Sequence, residues 1–186
     1  MGTGRIRDIR KKSPDRCGLE KETKVGMKMR RTDREITDFE EMIRIMEHCD
    51  VCRVALNDPS GYPYILPLNF GMRVEGEKVK LYFHGATAGR KYELMQADPR
   101  ASFEMDGEHA LEPALDGNAC RCAMSYESVI GYGTMSVLPE EDKKEALDCL
   151  MQHYHGTGTS FHYDENVLQH TQVFCLEVLG MTGKRR

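Results

Sequence analysis

The sequence predicts a mainly β protein, in which an antiparallel sheet closed into a barrel carries a few helices at its ends. Strand-forming runs follow one another closely, and the links between them are tight turns such as Asp58-Pro59-Ser60-Gly61 and Glu75-Gly76-Glu77. Sequential strands with short turns are typical of antiparallel pairing. A closed barrel also leaves no sheet edge exposed.

The predicted elements follow from spacing and composition. The domain opens with a helix, because Thr37 and Glu40 have the spacing of a capping box and apolar residues recur at helical spacing over 39–46. Residues 106–118 are polar, contain Gly and Pro, and are expected to form a loop. The predicted strands span 51–57, 62–72, 78–84, 100–105, 125–138 and 173–179. The further predicted helices span 86–97, 139–154 and 164–170.

Composition divides the 186 residues into a tail and one domain. Residues 1–28 are basic and poor in large apolar side chains, so we expect a disordered extension before a domain over 29–186. A misplaced start codon and a basic arm for nucleic acid are the alternatives. The net charge of −4 argues against nucleic acid as the main partner. Without an apolar membrane span or a secretory h-region, the expected location is the cytoplasm.

The seven cysteines are expected to be reduced thiols in that compartment. Cys49-x-x-Cys52 beside His48, together with Cys120-x-Cys122, could be argued as a zinc site. The first pair lies where a helix should end and a strand begin, so Cys52 is expected to point into the barrel as a small hydrophobe. We therefore predict no metal and no redox role for Cys49 and Cys52, with a metal-binding module as the alternative.

The segment LYFHGATAGRK, residues 81–91, carries the strongest chemical signal. A strand runs into a helix here, and the free N–H groups of a helix start attract anions. Arg90 and Lys91 add positive charge, while Gly85 and Gly89 let a bulky ligand approach the backbone. We expect a phosphate ester as the ligand. The alternative is a capped surface helix whose Arg and Lys are solvated.

Two further segments offer groups for a ligand. In YILPLNF, residues 64–70, Pro67 donates no ladder hydrogen bond and leaves a neighbouring carbonyl for the edge of a planar heterocycle. In YESVIGYG, residues 126–133, Ser128 offers a hydroxyl beside two glycines. The alternatives are an edge-strand proline and a barrel corner.

In order along the chain, the segments CDVCRVAL, YPYILPLNFGM, LYFHGATAGRKYELM, DPRASFEMD, YESVIGYGTM and FCLEVLGMTGKRR resemble one known family. This is the pyridoxamine 5'-phosphate oxidase-like family of FMN-binding split barrels, and the resemblance is strongest to its nitroimidazole-resistance branch. It extends over about 29–186. The resemblance implies a six-stranded antiparallel split β-barrel and a homodimer with FMN at the subunit interface.

The resemblance also implies which residues contact FMN. They are Pro67, Leu68 and Asn69 at the isoalloxazine ring, His84, Gly85 and Thr87 beside the flavin, Arg90 and Lys91 at the phosphate, and Ser128 and Val129 of the second subunit.

The implied function is an FMN-dependent oxidoreductase that reduces small acceptors such as nitro-heterocycles, with NADH or NADPH as a transient reductant. His84 would donate a proton to the product, or else make only a structural hydrogen bond. An FMN storage or sensing protein without turnover is the alternative function. The oxidase itself has an Arg and a His around a Trp near its C terminus. This chain has no Trp, so that activity is not expected.

Overall fold

The computed structural model describes residues 29–186, so the predicted basic extension over 1–28 lies outside the described residues. The strands of the described part are β1 (Glu35–Ile36), β2 (Cys52–Leu56), β3 (Tyr64–Leu68), β4 (Gly71–Glu75), β5 (Lys78–Ala86), β6 (Arg100–Glu112), β7 (Ala123–Val137) and β8 (Thr171–Arg185). Its helices are α1 (Phe39–Glu47), α2 (Arg90–Ala97), α3 (Glu140–His155) and α4 (Glu165–Gln169), with short 3-10 turns at Thr32–Arg34 and Ala119–Arg121.

All strands pair antiparallel in one sheet, in the order β3-β2-β6-β7-β8-β5-β4, with β1 added to the end of β8. The two end strands, β3 and β4, are joined only by Asn69 and Phe70. Since consecutive Cα atoms are about 3.8 Å apart, this short link brings the two ends of the sheet together. The sheet therefore curls into a barrel that stays split between β3 and β4. The mainly β fold with flanking helices is confirmed, with eight strands rather than six.

The strand predicted over 62–72 is two strands. The chain leaves β3 after Leu68, and Phe70 turns fully into the core before β4 begins. The residue before Pro67 favours extended backbone, and the proline itself cannot donate to a ladder, but neither property reveals this inward step.

Two other predicted boundaries differ from the structure. Residues 106–112, predicted as a loop, continue β6, because backbone pairing with β7 persists to Glu112 across a register shift between Gly107 and Ala110. The last strand extends to Arg185, because β7 pairs with it beyond the predicted end.

The helix starts also differ from prediction. The N-cap of α1 is Asp38, whose Oδ1 accepts a hydrogen bond from the Glu41 N–H at 2.9 Å, one residue after the predicted cap at Thr37. Helix α2 begins at Arg90 rather than at 86. Gly89 before it has a φ of 122°, a backbone conformation that residues other than glycine rarely adopt.

Strand β5 separates two apolar layers. Val79, Leu81 and Phe83 point into the barrel core, which α1 covers at one end. Tyr82, on the opposite face of the strand, packs with α3 residues such as Leu147. This alternation is the two-residue period of a half-buried strand. It places α3 and α4 over the outside of β5.

The end of α3 holds the split together. The Tyr154 hydroxyl accepts hydrogen bonds from the Phe70 N–H at 3.1 Å and the Asn69 side-chain amide at 3.1 Å, and donates to the Asp50 carbonyl at 2.8 Å. Next to it, the His153 ring lies 4.3 Å from the Phe70 ring, centroid to centroid. The Tyr154 side chain thus connects the start of β2 to the β3–β4 link.

No helix in the described part of the chain is long and apolar enough to cross a membrane.

We predict that Tyr154→Phe lowers the free energy of unfolding by about 1 to 2 kcal/mol, because the Phe70 N–H and the Asp50 carbonyl lose their shared partner. Urea unfolding measures the change. Tyr62→Phe is the matched control, since Tyr62 is 80% exposed and should be neutral. Equal stability of the two variants would contradict this account of the split.

Candidate functional site

The end of β5 presents His84 and Gly85 on opposite faces. A Cβ atom at Gly85 would lie 2.5 Å from Lys91 Nζ and 3.6 Å from the Phe174 ring, on the barrel side. His84 lines a cavity on the helix side. The absence of a side chain at Gly85 is therefore what allows the Lys91 amine to lie against the strand.

Lys91 is a partly buried cation. Its Nζ lies 4.6 Å from the centroid of the Phe174 ring, and burial lowers the pKa of the amine. No carboxylate within residues 29–186 pairs with it. At the start of α2 the N-cap Gly89 offers no side-chain acceptor, so the free N–H groups of the first turn add positive potential. Lys91 is the second residue of α2, so both contributions belong to the same helix start and favour an anion there, although Glu93 in the first turn opposes them.

Arg90 points elsewhere. Its Nε donates to Asp58 Oδ2 at 3.0 Å, its Nη2 donates to the same oxygen, and its guanidinium lies 5.9 Å from the centroid of the Tyr64 ring. Successive helical residues are rotated by about 100°, so Arg90 and Lys91 leave α2 in different directions. The resemblance implies that Arg90 and Lys91 act as one phosphate-binding pair. In the structure, however, Arg90 contacts Asp58 and Lys91 contacts Phe174.

Sequence reasoning missed Asp58. The turn Asp58–Gly61 was recognised, and an aspartate at its first position is typical of such turns. Nothing in that pattern indicates a contact with a helix more than 30 residues away. The sequence predicts only the positive charge of Arg90, and not the residue that pairs with it.

His84 borders a cavity of about 190 Å³ between β5, α3 and α4. The lining residues are His84, Leu147, Leu150, Met151, Tyr163, Asp164, Val167, Leu168 and Thr171. Two polar neighbours already have hydrogen-bond partners. The Tyr163 hydroxyl donates a hydrogen bond to the Asp148 carboxylate, and the Thr171 hydroxyl donates one to the Val167 carbonyl. Desolvation beside the apolar residues, and secondarily the charge of Lys91, lower the pKa of His84.

The predicted ring-contact segment lies at the end strand of the sheet. Pro67 sits opposite Arg53 of β2, and β3 has no second partner strand in the described residues. The Asn69 side chain is already bound to the Tyr154 hydroxyl at 3.1 Å. Pro67 and Leu68 therefore remain at an open edge, while the Asn69 amide helps to close the split.

The predicted second-subunit residues lie in β7, on opposite faces. Ser128 is partly exposed on the outer face. Val129 is fully buried in the core of its own protomer, because strand alternation turns it inward. Met105 of β6 and Gly183 of β8 flank its backbone in the sheet, so Val129 offers a ligand neither a side chain nor a free strand edge. Thr87 lies in the exposed bend between β5 and α2.

The cysteines do not converge. Cys52 is fully buried in the barrel, as predicted, and Cys49 donates its thiol to the Ile45 carbonyl at 3.2 Å. Burial raises the pKa of Cys49 to about 11, so its thiol stays protonated at neutral pH. Cys120 and Cys122 are exposed in a separate turn. Within residues 29–186, no group of three or more His, Cys, Asp or Glu side chains is arranged to hold a metal ion.

A family model described as pyridoxamine 5'-phosphate oxidase matches residues 38–185. The chain belongs to this family. No curated protein matches the chain.

The chain is also similar to several solved structures. A Bacteroides thetaiotaomicron protein, described as a candidate for 5-nitroimidazole antibiotic resistance, has 30% identity and a TM-score of 0.69, with 81% of this chain and 86% of that chain covered. An FAD- and heme-binding protein from Mycobacterium smegmatis has 20% identity and a TM-score of 0.70, with 82% and 73% covered. A flavocytochrome from Azotobacter vinelandii has 21% identity and a TM-score of 0.68, with 85% and 72% covered. The last two similarities show the fold alone.

We predict that the His84 titration midpoint lies below its ordinary value and rises in Lys91→Met, because the protonated ring then loses a repelling cation. Lys91→Arg, which keeps the charge, is the control. The His84 ring signals followed by NMR against pH give the midpoints. The same midpoint in Lys91→Met and wild type would show that Lys91 does not act on the ring.

Proposed function

We propose that this protein binds FMN and works as an oxidoreductase that reduces small acceptors such as nitro-heterocycles. The observation that carries the proposal is the partly buried ammonium of Lys91, which has no carboxylate partner in the described residues and belongs to the first turn of a helix without a side-chain cap. The 30% identical Bacteroides protein supports the acceptor class, and the flavin-binding names of two structural relatives support the cofactor class.

The residues present fit a phosphate ester. Lys91 and the free N–H groups of α2 supply charge and donors, and the missing side chain at Gly85 gives the Lys91 amine its place beside the strand. Arg90 would supply further donors from a different side of the helix start. Pro67 and Leu68, on the open edge strand β3, would present backbone groups to the isoalloxazine ring.

A homodimer is part of the proposal. Ser128 and Ile130 point outward from the same face of β7, and Ile130 is 46% exposed. An exposed strand face that combines an apolar residue with a hydroxyl is suited to pack against a second copy of the chain. Ser128 of the second copy would then reach the flavin.

When bound, FMN would accept hydride from NADH or NADPH and supply electrons to the acceptor. In the proposed reaction the chain's own contribution is to hold the phosphate at Lys91 and to deliver a proton from His84. Since the pKa of His84 is lowered, its ring is mostly neutral at pH 7. A proton-donating role therefore requires the rate to increase as the pH falls through the His84 midpoint.

We predict that FMN-loaded protein is bleached by NADH or NADPH without oxygen and is reoxidised by a nitroimidazole. The reoxidation rate should increase as the pH falls toward the His84 midpoint, because protonated His84 is the better donor. His84→Gln should flatten this pH dependence while retaining FMN. Stopped-flow absorbance at the flavin bands measures both. Bleaching followed by no reoxidation with nitro or quinone acceptors would instead indicate a storage or sensing protein.

We predict that the double variant Arg90→Ala, Lys91→Ala weakens FMN binding by about 100-fold or more, because each charged hydrogen bond contributes roughly 1.5–3 kcal/mol. Riboflavin, which lacks the phosphate, should bind nearly as well as before. Flavin fluorescence titration measures both affinities. Arg121→Ala, whose side chain pairs with Asp116 in another loop, is the control. Unchanged FMN affinity in the double variant would remove both residues from the site.

A further inference from the structure

We propose that Asp58 is a positioning residue for the cofactor phosphate: it fixes the Arg90 guanidinium so that the remaining N–H donors of Arg90 face an incoming phosphate ester. This inference rests on the proposed FMN site and adds a residue from a different part of the barrel. It assigns to the β2–β3 turn a role in selecting phosphorylated flavin.

The Asp58 carboxylate is held from both sides. Its side chain is only 5% exposed, Oδ1 accepts the Ser60 N–H at 2.8 Å, and Oδ2 accepts Nε of Arg90 at 3.0 Å. The turn itself is closed by the Gly61 N–H, which donates to the Asp58 carbonyl at 3.0 Å. A carboxylate fixed in this way provides a stationary point for a long, flexible partner.

Arg90 uses one edge of its guanidinium for Asp58. The Nε and Nη2 groups donate to the same oxygen, while no described residue accepts from Nη1. A guanidinium presents its donors in a rigid, planar fork, so fixing one edge also fixes the direction of the other. Its plane is further restricted by the Tyr64 ring, 5.9 Å away. The free donors are thus oriented before any ligand arrives.

Asp58 would affect the affinity for a phosphate ester in two opposite ways. Its charge repels a phosphate and competes for Arg90, whereas its hold on Arg90 reduces the conformational freedom that would otherwise be lost on binding. Orientation should dominate, because both carboxylate oxygens already accept hydrogen bonds and the group is buried. Without Asp58, the exposed Arg90 side chain would lose the two hydrogen bonds that hold it, and only the charge of Glu93, one turn along α2, would still attract it.

The test measures FMN and riboflavin affinity side by side in Asp58→Asn at fixed ionic strength, by flavin fluorescence. We expect FMN to bind about tenfold more weakly, at the lower end of the effect of removing a residue that orients a ligand-binding group, while riboflavin affinity changes by less than about twofold. Asp116→Asn breaks a comparable Asp–Arg pair with Arg121 away from the site and should change neither affinity.

The same measurement in an Arg90→Ala background separates positioning from a general structural effect. If Asp58 acts through Arg90, adding Asp58→Asn to Arg90→Ala should cause no further loss of FMN affinity. Asp58→Glu keeps the charge and should retain more of the preference for FMN than Asp58→Asn, and it also serves if Asp58→Asn fails to fold.

Three results would overturn the inference: tighter FMN binding in Asp58→Asn, which would make Asp58 a competitor; equal losses for FMN and riboflavin; or an undiminished loss in the Arg90→Ala background. Wild-type protein that binds neither flavin would overturn the proposed function itself, and this inference with it. For this reason, the binding of both flavins to the wild-type protein is measured before any variant is compared.

Discussion

An ammonium group that is partly buried against an aromatic ring is stabilised best by an anion, and the end of β5 creates this situation around Lys91. Strand β5 places Gly85 and the neighbouring β8 places Phe174 on the barrel side, and the turn through Gly89 starts α2 so that Lys91 folds back over them. Because no described carboxylate neutralises the amine, the fold maintains a local positive charge. The candidate site depends on this constraint.

The barrel provides the rigidity that this site needs. Its sheet ends meet only through Asn69 and Phe70, and the Tyr154 hydroxyl connects that link to the entrance of β2. The open edge of β3 therefore stays at a fixed place relative to α3. The Asp58–Arg90 pair likewise connects the β2–β3 turn to the start of α2. The groups that we propose to bind the ligand thus come from distant parts of the sequence but share one framework.

Much of the fold could be predicted from local pattern. Local pattern also predicts the candidate site over 81–91, because glycine and basic residues at a helix start are suited to bind an anion. Two features could not be predicted in this way: the inward turn at Phe70 and the continuation of β6 through 106–112. Both depend on contacts between distant segments, which the residue spacing within one segment does not reveal. The different directions of Arg90 and Lys91 likewise depend on a distant residue, since Asp58 joins Arg90 only in the folded chain.

A crystal structure of the protein grown with excess FMN tests the central claim most directly. The account predicts the phosphate about 3 Å from Lys91 Nζ and beside the first N–H groups of α2, with the flavin ring between two copies of the chain. A phosphate bound elsewhere on the barrel, or crystals that exclude FMN while Lys91 keeps its place over Gly85, would contradict it.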